Sequence, residues 1–347
     1  MKRTSHIAIL ILVVTLLGSC TKVLEIDDSG AKDLLVLNGL PSAGNRAFVF
    51  FSHSHFFLDS EMSYPVDGAS LTLNVNGVPY APDSVSGSKY FFPYTCQPDD
   101  SLRIDITSPA GNLHAKTYVP RYPVIDGFSV VDFASSSFNF YLARYTLSDY
   151  ADHSDYYYLT VTVRDSGMRF DTWTQTFDTV DTVHSTYFLV PYNEELTSNE
   201  VSPNAALGGY LYSSLISTDR LMDGQDREVS VFILHLIDTN EVNDSAHVFK
   251  HWYDVTIESI TPARLLYIVS ASRNMGSVSF FTEQSQPYTN IQGGMGVFAG
   301  MARWRHSFDP DTLIHLSGSP GGIPAETVAA IARRQEQESH NHAGKKK

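Results

Sequence analysis

Cysteine is nearly absent from this 347-residue chain, which has two, Cys20 and Cys96. One pair at most could bridge, so no disulfide framework holds the fold, and a chain of this length buries enough apolar surface to do without one. Positive charge is also scarce. Lys and Arg number 24 against 38 Asp and Glu, for a net charge of −14. That balance excludes nucleic-acid binding through a phosphate footprint, and it leaves no broad basic patch for an anionic membrane surface. Long apolar runs are missing too. The run Ile7 to Leu17, interrupted by Thr15, has eleven residues, where a resident membrane helix needs about 20. The usual catalytic signatures are absent: there is no G-x-S-x-G elbow, no phosphate loop and no H-E-x-x-H.

That short apolar run follows Lys2-Arg3 and ends in small residues, the layout of a secretory signal. Its end, Leu17-Gly18-Ser19-Cys20, resembles the bacterial lipobox, in which the cysteine thiol takes a diacylglycerol and becomes the new N-terminus. Residues 1–19 then read as a lipoprotein signal peptide, and 20–33 as a lipidated, acidic tether. Membrane attachment is expected through the lipid on Cys20. Glu25, Asp27 and Asp28 faintly resemble a surface-export signal. With Cys20 lipidated, Cys96 has no partner and is expected to be a small buried residue rather than a reactive thiol, since no cationic neighbour lies close in sequence.

The body is rich in Tyr, Phe, Thr and Val, which favours strands. "SLTLNVNG" alternates, with Leu71, Leu73 and Val75 on one face, and ends in the hairpin signal Asn76-Gly77. "SLRIDITS" repeats the pattern through Leu102, Ile104 and Ile106. With "LLVLNGL", "RAFVFFS" and "SKYFFPY" around them, residues 34–122 are expected to form an immunoglobulin-like β-sandwich, ending where Pro120 and Pro123 break the ladder. Residues 123–318 are expected to form a larger β-rich domain. "YYYLTVTVRD" alternates, whereas "EVSVFILHLID" is apolar on both faces and should be a central, doubly covered strand. "TPARLLYIVSASRN" switches to helical spacing, with Thr261 as N-cap and Pro262 at the first helical position. Residues 319–347 read as a short helix and a disordered tail. The fold class is therefore mainly β with one amphipathic helix.

The order of motifs carries a resemblance. "GASLTLNVNG", "SLRIDITSPAGNLHAKTYVP", "STDRLMDGQDREVSVFI", "HWYDVTIESITPARLLYIVSAS" and "YTNIQGGMGVFAG" follow the lipobox. Together they resemble a family of Bacteroidota outer-membrane lipoproteins, domain of unknown function 4249, over about residues 34–302. The segment 171–203 and the tail after Ser319 fall outside it. The resemblance implies accessory lipoproteins encoded beside SusC-type TonB-dependent receptors, no cofactor and no enzymatic activity.

Several residues are candidates for sites. Gly293, Gly294, Gly296 and Gly300 crowd around Met295, Val297 and Phe298. They mark either a strand wedged tightly against a neighbour or a backbone surface offered to a partner. Asp-Ser and Asp-Thr pairs at Ser84, Ser101, Thr179, Thr182, Ser245 and Thr312 look like the acceptor motif for Bacteroidota O-glycosylation, and are equally ordinary turn pairs. His53 and His55 would share a strand face but lack a third metal ligand. Asp309 and Asp311 could touch calcium or simply make a turn. The expected function is a non-enzymatic lipoprotein at the outer membrane, facing the cell surface. It would bind substrate for, or dock on, a SusC-like TonB-dependent receptor, with the contact made by the C-terminal region. The alternative is a stand-alone adhesin or glycan-binding lipoprotein. A hydrolase would need carboxylates clustered in a cleft with shifted pKa values.

Overall fold

A computed structural model of the chain describes residues 34–54, 64–134, 139–151, 154–171, 176–184, 187–191, 205–206, 211–212, 214–218, 224–235, 246–275 and 286–313. Cys20, His55, Ser245 and the tail lie outside them. The chain first lays down β1 (Leu35–Gly39), β2 (Arg46–His53), β3 (Tyr64–Pro65), β4 (Ser70–Val75), β5 (Val78–Tyr80), β6 (Ser84–Ser86), β7 (Lys89–Thr95), β8 (Ser101–Ser108) and β9 (Gly111–Tyr118). Then follow β10 (Val124–Ala134), β11 (Asn139–Ser148), β12 (Tyr156–Asp171), β13 (Thr176–His184), β14 (Tyr187–Pro191), β15 (Ala205–Ala206), β16 (Leu211–Tyr212), β17 (Ser214–Thr218), β18 (Asp226–His235) and β19 (Ala246–Ile260). Helix α1 (Pro262–Met275) precedes β20 (Met295–Phe298) and β21 (Met301–Phe308). The fold is mainly β, with antiparallel sheets and one α-helix among the described residues.

Four sheets form two sandwiches. Sheet I runs β20-β1-β2-β7-β6 with β3 on β2, and sheet II runs β5-β4-β8-β9. Their facing sides bury Leu37, Val49, Phe51 and Phe92 against Leu71, Leu73, Leu102, Ile104 and Ile106. These are the inward positions that the alternation of "SLTLNV" and "SLRIDI" predicts. The Asn76-Gly77 turn has φ of 51° and 88° at its two residues, the left-handed pair a two-residue hairpin needs.

Sheet III runs β10-β11-β18-β14-β16-β15, and sheet IV runs β13-β12-β19-β21 with β17 on β12. Tyr141, Tyr145, Val229, Val231 and Ile233 of sheet III face Tyr157, Leu159, Val161, Val163, Tyr253, Val255 and Ile257 of sheet IV. In β18 every residue from Val229 to Ile233 is buried, as expected of a central strand covered on both sides. Helix α1 lies on the opposite face of sheet IV, where Leu265, Ile268 and Val269 meet Ile216, Ile260, Tyr156, Tyr158 and Met301. Thr261 starts the helix through its carbonyl, which accepts from Leu265 N at 3.1 Å. Its hydroxyl does not cap the helix: Oγ1 is buried and has no hydrogen-bond partner.

The two cores do not divide the chain at one point. Strand β20 pairs in parallel with β1, Val36 opposite Met295 and Gly39 opposite Phe298. Ile291, Phe298 and Ala302 belong to the first core, although they follow α1 in sequence. The glycine-rich segment, expected within the second β-rich region, therefore completes the first sandwich. The described residues all lie in one compact unit.

Candidate functional site

The four glycines sit where the chain presses against the first sandwich. A Cβ on Gly296 would lie 2.1 Å from Leu37 O, with φ at +104°, and one on Gly300 would lie 1.8 Å from Tyr118 O. At Gly293 and Gly294 the obstacles are Asn112 O and Leu113 Cδ2. Asn290 fixes the segment by donating to Phe298 O and accepting from Phe298 N, at 2.8 and 2.9 Å, while Asn38 Oδ1 accepts from Val297 N at 3.2 Å. The backbone of β20 is thus used inside the fold, which accounts for the glycines in structural terms.

The other candidate residues scatter. Ser84, Ser101 and Thr312 are exposed, and Thr179 and Thr182 lie on β13. Their aspartates have work of their own. Asp100 is buried and accepts from Asn76 Nδ2, Tyr94 OH and Gln97 N at 2.8, 2.7 and 2.7 Å, tying the β4–β5 hairpin to the turn before β8. Asp309 Oδ1 accepts from Asp311 N at 3.1 Å and caps a short 3-10 turn, so the Asp309–Asp311 pair makes a turn. His53 ends β2, half-buried. Among the described residues no three His, Cys, Asp or Glu side chains form a metal-holding group. Cys96 is fully buried, and burial, with help from Asp100, pushes its thiol up to about 12, so it stays protonated and inert at neutral pH.

Two surfaces that sequence reasoning missed carry more chemistry. The first is the outer face of sheet I. Because Ala47, Val49 and Phe51 point inward, Phe48 and Phe50 point outward, and Phe91 joins them from β7. Lys89 Nζ lies 4.0 Å from the Phe48 ring centroid, 4.7 Å from that of Phe91 and 5.4 Å from that of Phe50. Arg46 stands over Phe91 and pairs with Asp83. Phe50 is 42 % exposed. These three phenylalanines thus form one apolar group on the outer face, with Lys89 and Arg46 against their rings. The available signal was the period-two pattern of "RAFVFFS", which assigns two phenylalanines to the outer face.

The second surface is the outer face of sheet IV. Asp254 and Glu258 of β19 are 1 % and 4 % exposed. Their position in "HWYDVTIESI", opposite Tyr253, Val255 and Ile257, reads as a solvent face. Arginines from distant segments cover them instead. Asp254 accepts from Arg164 Nε at 2.8 Å, and from Arg305 and Ser307. Glu258 Oε1 accepts from Arg303 Nε at 2.8 Å and Nη2 at 2.6 Å, while Arg264 binds Oε2. Burial pushes the Asp254 carboxyl up, but the hydrogen bonds from Arg164, Arg305 and Ser307 outweigh it and hold the group below the usual carboxylate range. Both carboxylates are ion-paired, so the face offers positively charged donors to solvent rather than an acid or base.

A narrow crevice of about 30 Å³ opens between sheets III and IV beside Tyr145, Tyr157, Leu215 and Ile257. It has room for a water or two. Asp149 accepts from Tyr157 OH at 2.9 Å and from Gly224 N at 3.0 Å, which ties the Asp-Gly turn of "DRLMDGQD", with Gly224 at φ 68°, to β12. Among the described residues no helix is long and apolar enough to cross a membrane.

No family model matches the chain, and no curated protein matches it. Among solved structures that match is a Corynebacterium diphtheriae protein described as membrane anchored. It shows 10 % identity and a TM-score of 0.18, over 66 % of this chain and 55 % of that one. The chain thus spans about half the length of that protein.

Proposed function

We propose that this protein is a non-enzymatic lipoprotein of the outer membrane, held by lipid on Cys20 and facing the cell surface. It serves as an accessory binding or docking subunit beside a SusC-like TonB-dependent receptor. The observation that carries the reading is the sequence Leu17-Gly18-Ser19-Cys20 after a basic start and an eleven-residue apolar run. The resemblance to the Bacteroidota family supplies the receptor. The outward Phe48, Phe50 and Phe91 and the arginine face support docking, because aromatics and arginine dominate interface energetics. Sharing one membrane raises the effective concentration of lipoprotein and receptor, so individually weak contacts suffice. Gentle detergent extraction of the tagged native protein should bring the receptor with it. Repeated purification of the lipoprotein alone, with normal uptake by the receptor in a deletion strain, would replace this reading with the adhesin.

A further inference from the structure

Strand β21 is the edge of sheet IV, and its free side has a definite phase. Met301 N donates to Pro41 O at 2.9 Å and Met301 O accepts from Ala43 N at 3.0 Å, so the backbone groups of Met301 point away from β19. A strand repeats every two residues, and the backbone N–H and C=O of Arg303, Arg305 and Ser307 therefore point outward as well. No described residue pairs with them. Residues 41–43 stop the edge at one end, at Met301. On the face turned to the core, Trp304 and His306 are held by Phe128, at ring-centroid distances of 5.1 and 4.5 Å. The strand is thus fixed, and among the described residues nothing pairs with its outer edge beyond Met301.

The side chains beside that edge are equally specific. Arg303 and Arg305 stand on one face at i and i+2, each about half exposed. Of the five N–H donors on a guanidinium, Arg303 commits two to Glu258 and Arg305 one to Asp254. The remaining donors have no partner among the described residues, and buried carboxylates hold both guanidinium groups in place. "MARWRHSF" contains no acidic residue, in a chain with a net charge of −14.

We propose that the Arg303–Ser307 edge is a strand-addition site for an extended acidic segment of a partner protein. The incoming strand pairs with the outward backbone groups and sets carboxylates at alternate positions opposite Arg303 and Arg305. Backbone pairing supplies affinity and the alternate side chains supply selection. Directly opposed residues share a face with Cβ atoms about 5 Å apart, within reach of a guanidinium–carboxylate pair. Charges on an edge also repel stray strands, and a stray apolar strand lacks the carboxylates that fit here. The inference deepens the docking reading above, but its test needs no receptor.

The test measures binding of the mature chain in detergent to a labelled peptide with glutamate at every second position and threonine or valine between. Two control peptides keep the length: one has lysine for glutamate, the other keeps the glutamates but is N-methylated on alternate amides. The glutamate peptide should bind, and both controls should bind at least about fivefold more weakly. The Arg303→Gln/Arg305→Gln double variant should lose binding with its circular dichroism unchanged. If that variant misfolds, the N-methylated peptide on the wild-type chain still decides. Equal binding of the N-methylated peptide would show charge attraction without strand pairing and overturn the proposal, as would no binding of the glutamate peptide. Failure here with receptor co-purification intact would leave the docking reading standing on another surface.

Discussion

Two residues show how close contacts fix this fold. Gly296 combines a left-handed φ with a carbonyl 2.1 Å from where a Cβ would be. A β-branched side chain there meets both backbone strain and a clash. Gly296→Val should cost at least about 2 kcal/mol and lower the melting temperature by several degrees. The loss should register in the first sandwich, since the clash is with Leu37 of β1. An unchanged melting temperature would contradict the wedge. Asp254 is the second case. Its carboxyl is depressed below its ordinary 3.8, so the ion pairs contribute stability in full above about pH 4 to 5, and that stability is lost as pH falls through the folded-state value. Asp254→Asn should cost about 1–3 kcal/mol at neutral pH. It should also flatten the acid limb of a stability-versus-pH curve, and an acid limb identical to wild type would contradict the assignment.

At the scale of elements, what could be read in advance was what is local. Strand alternation at Leu71–Val75, Leu102–Ile106 and Tyr157–Val163, the Asn76-Gly77 turn and the change of period at Pro262 each depend on residues a few positions apart, and the structure follows them. The pairing of β1 with β20 was not legible, because no local pattern names a partner some 259 residues away. The burial of Asp254 and Glu258 was hidden for the same reason: their cover comes from Arg164, Arg303 and Arg305 on other strands. Helix α1 offers a sharper test of a local rule. If Thr261 were a side-chain cap, replacing it would cost about 1 kcal/mol. Its Oγ1 is instead buried and unsatisfied, so the nearly isosteric Thr261→Val should be neutral or stabilising in denaturant unfolding, since it removes a polar group with no partner. A loss of about 1 kcal/mol or more would restore the cap.

For the whole molecule, an acidic chain with two β-sandwiches presents two outward surfaces, one of phenylalanines around Lys89 and one of arginines over buried carboxylates. Both expose residue types, aromatics and arginine, that are enriched at interfaces. Their use depends on where the chain resides, which in the proposed reading is set by lipid on Cys20. One acyl chain holds a protein only marginally and stable anchoring needs more than one, so the proposed modification would have to be complete to anchor the chain. The decisive measurement is the intact mass and N-terminal peptide of the protein purified from its native membrane. The account predicts a mature chain that begins at Cys20 and carries a glyceryl-linked, multiply acylated mass, and a Cys20→Ala variant that is either uncleaved or released from the membrane. A mature chain with an unmodified N-terminus, or a Cys20→Ala variant processed and retained with the outer membrane like wild type, would contradict it.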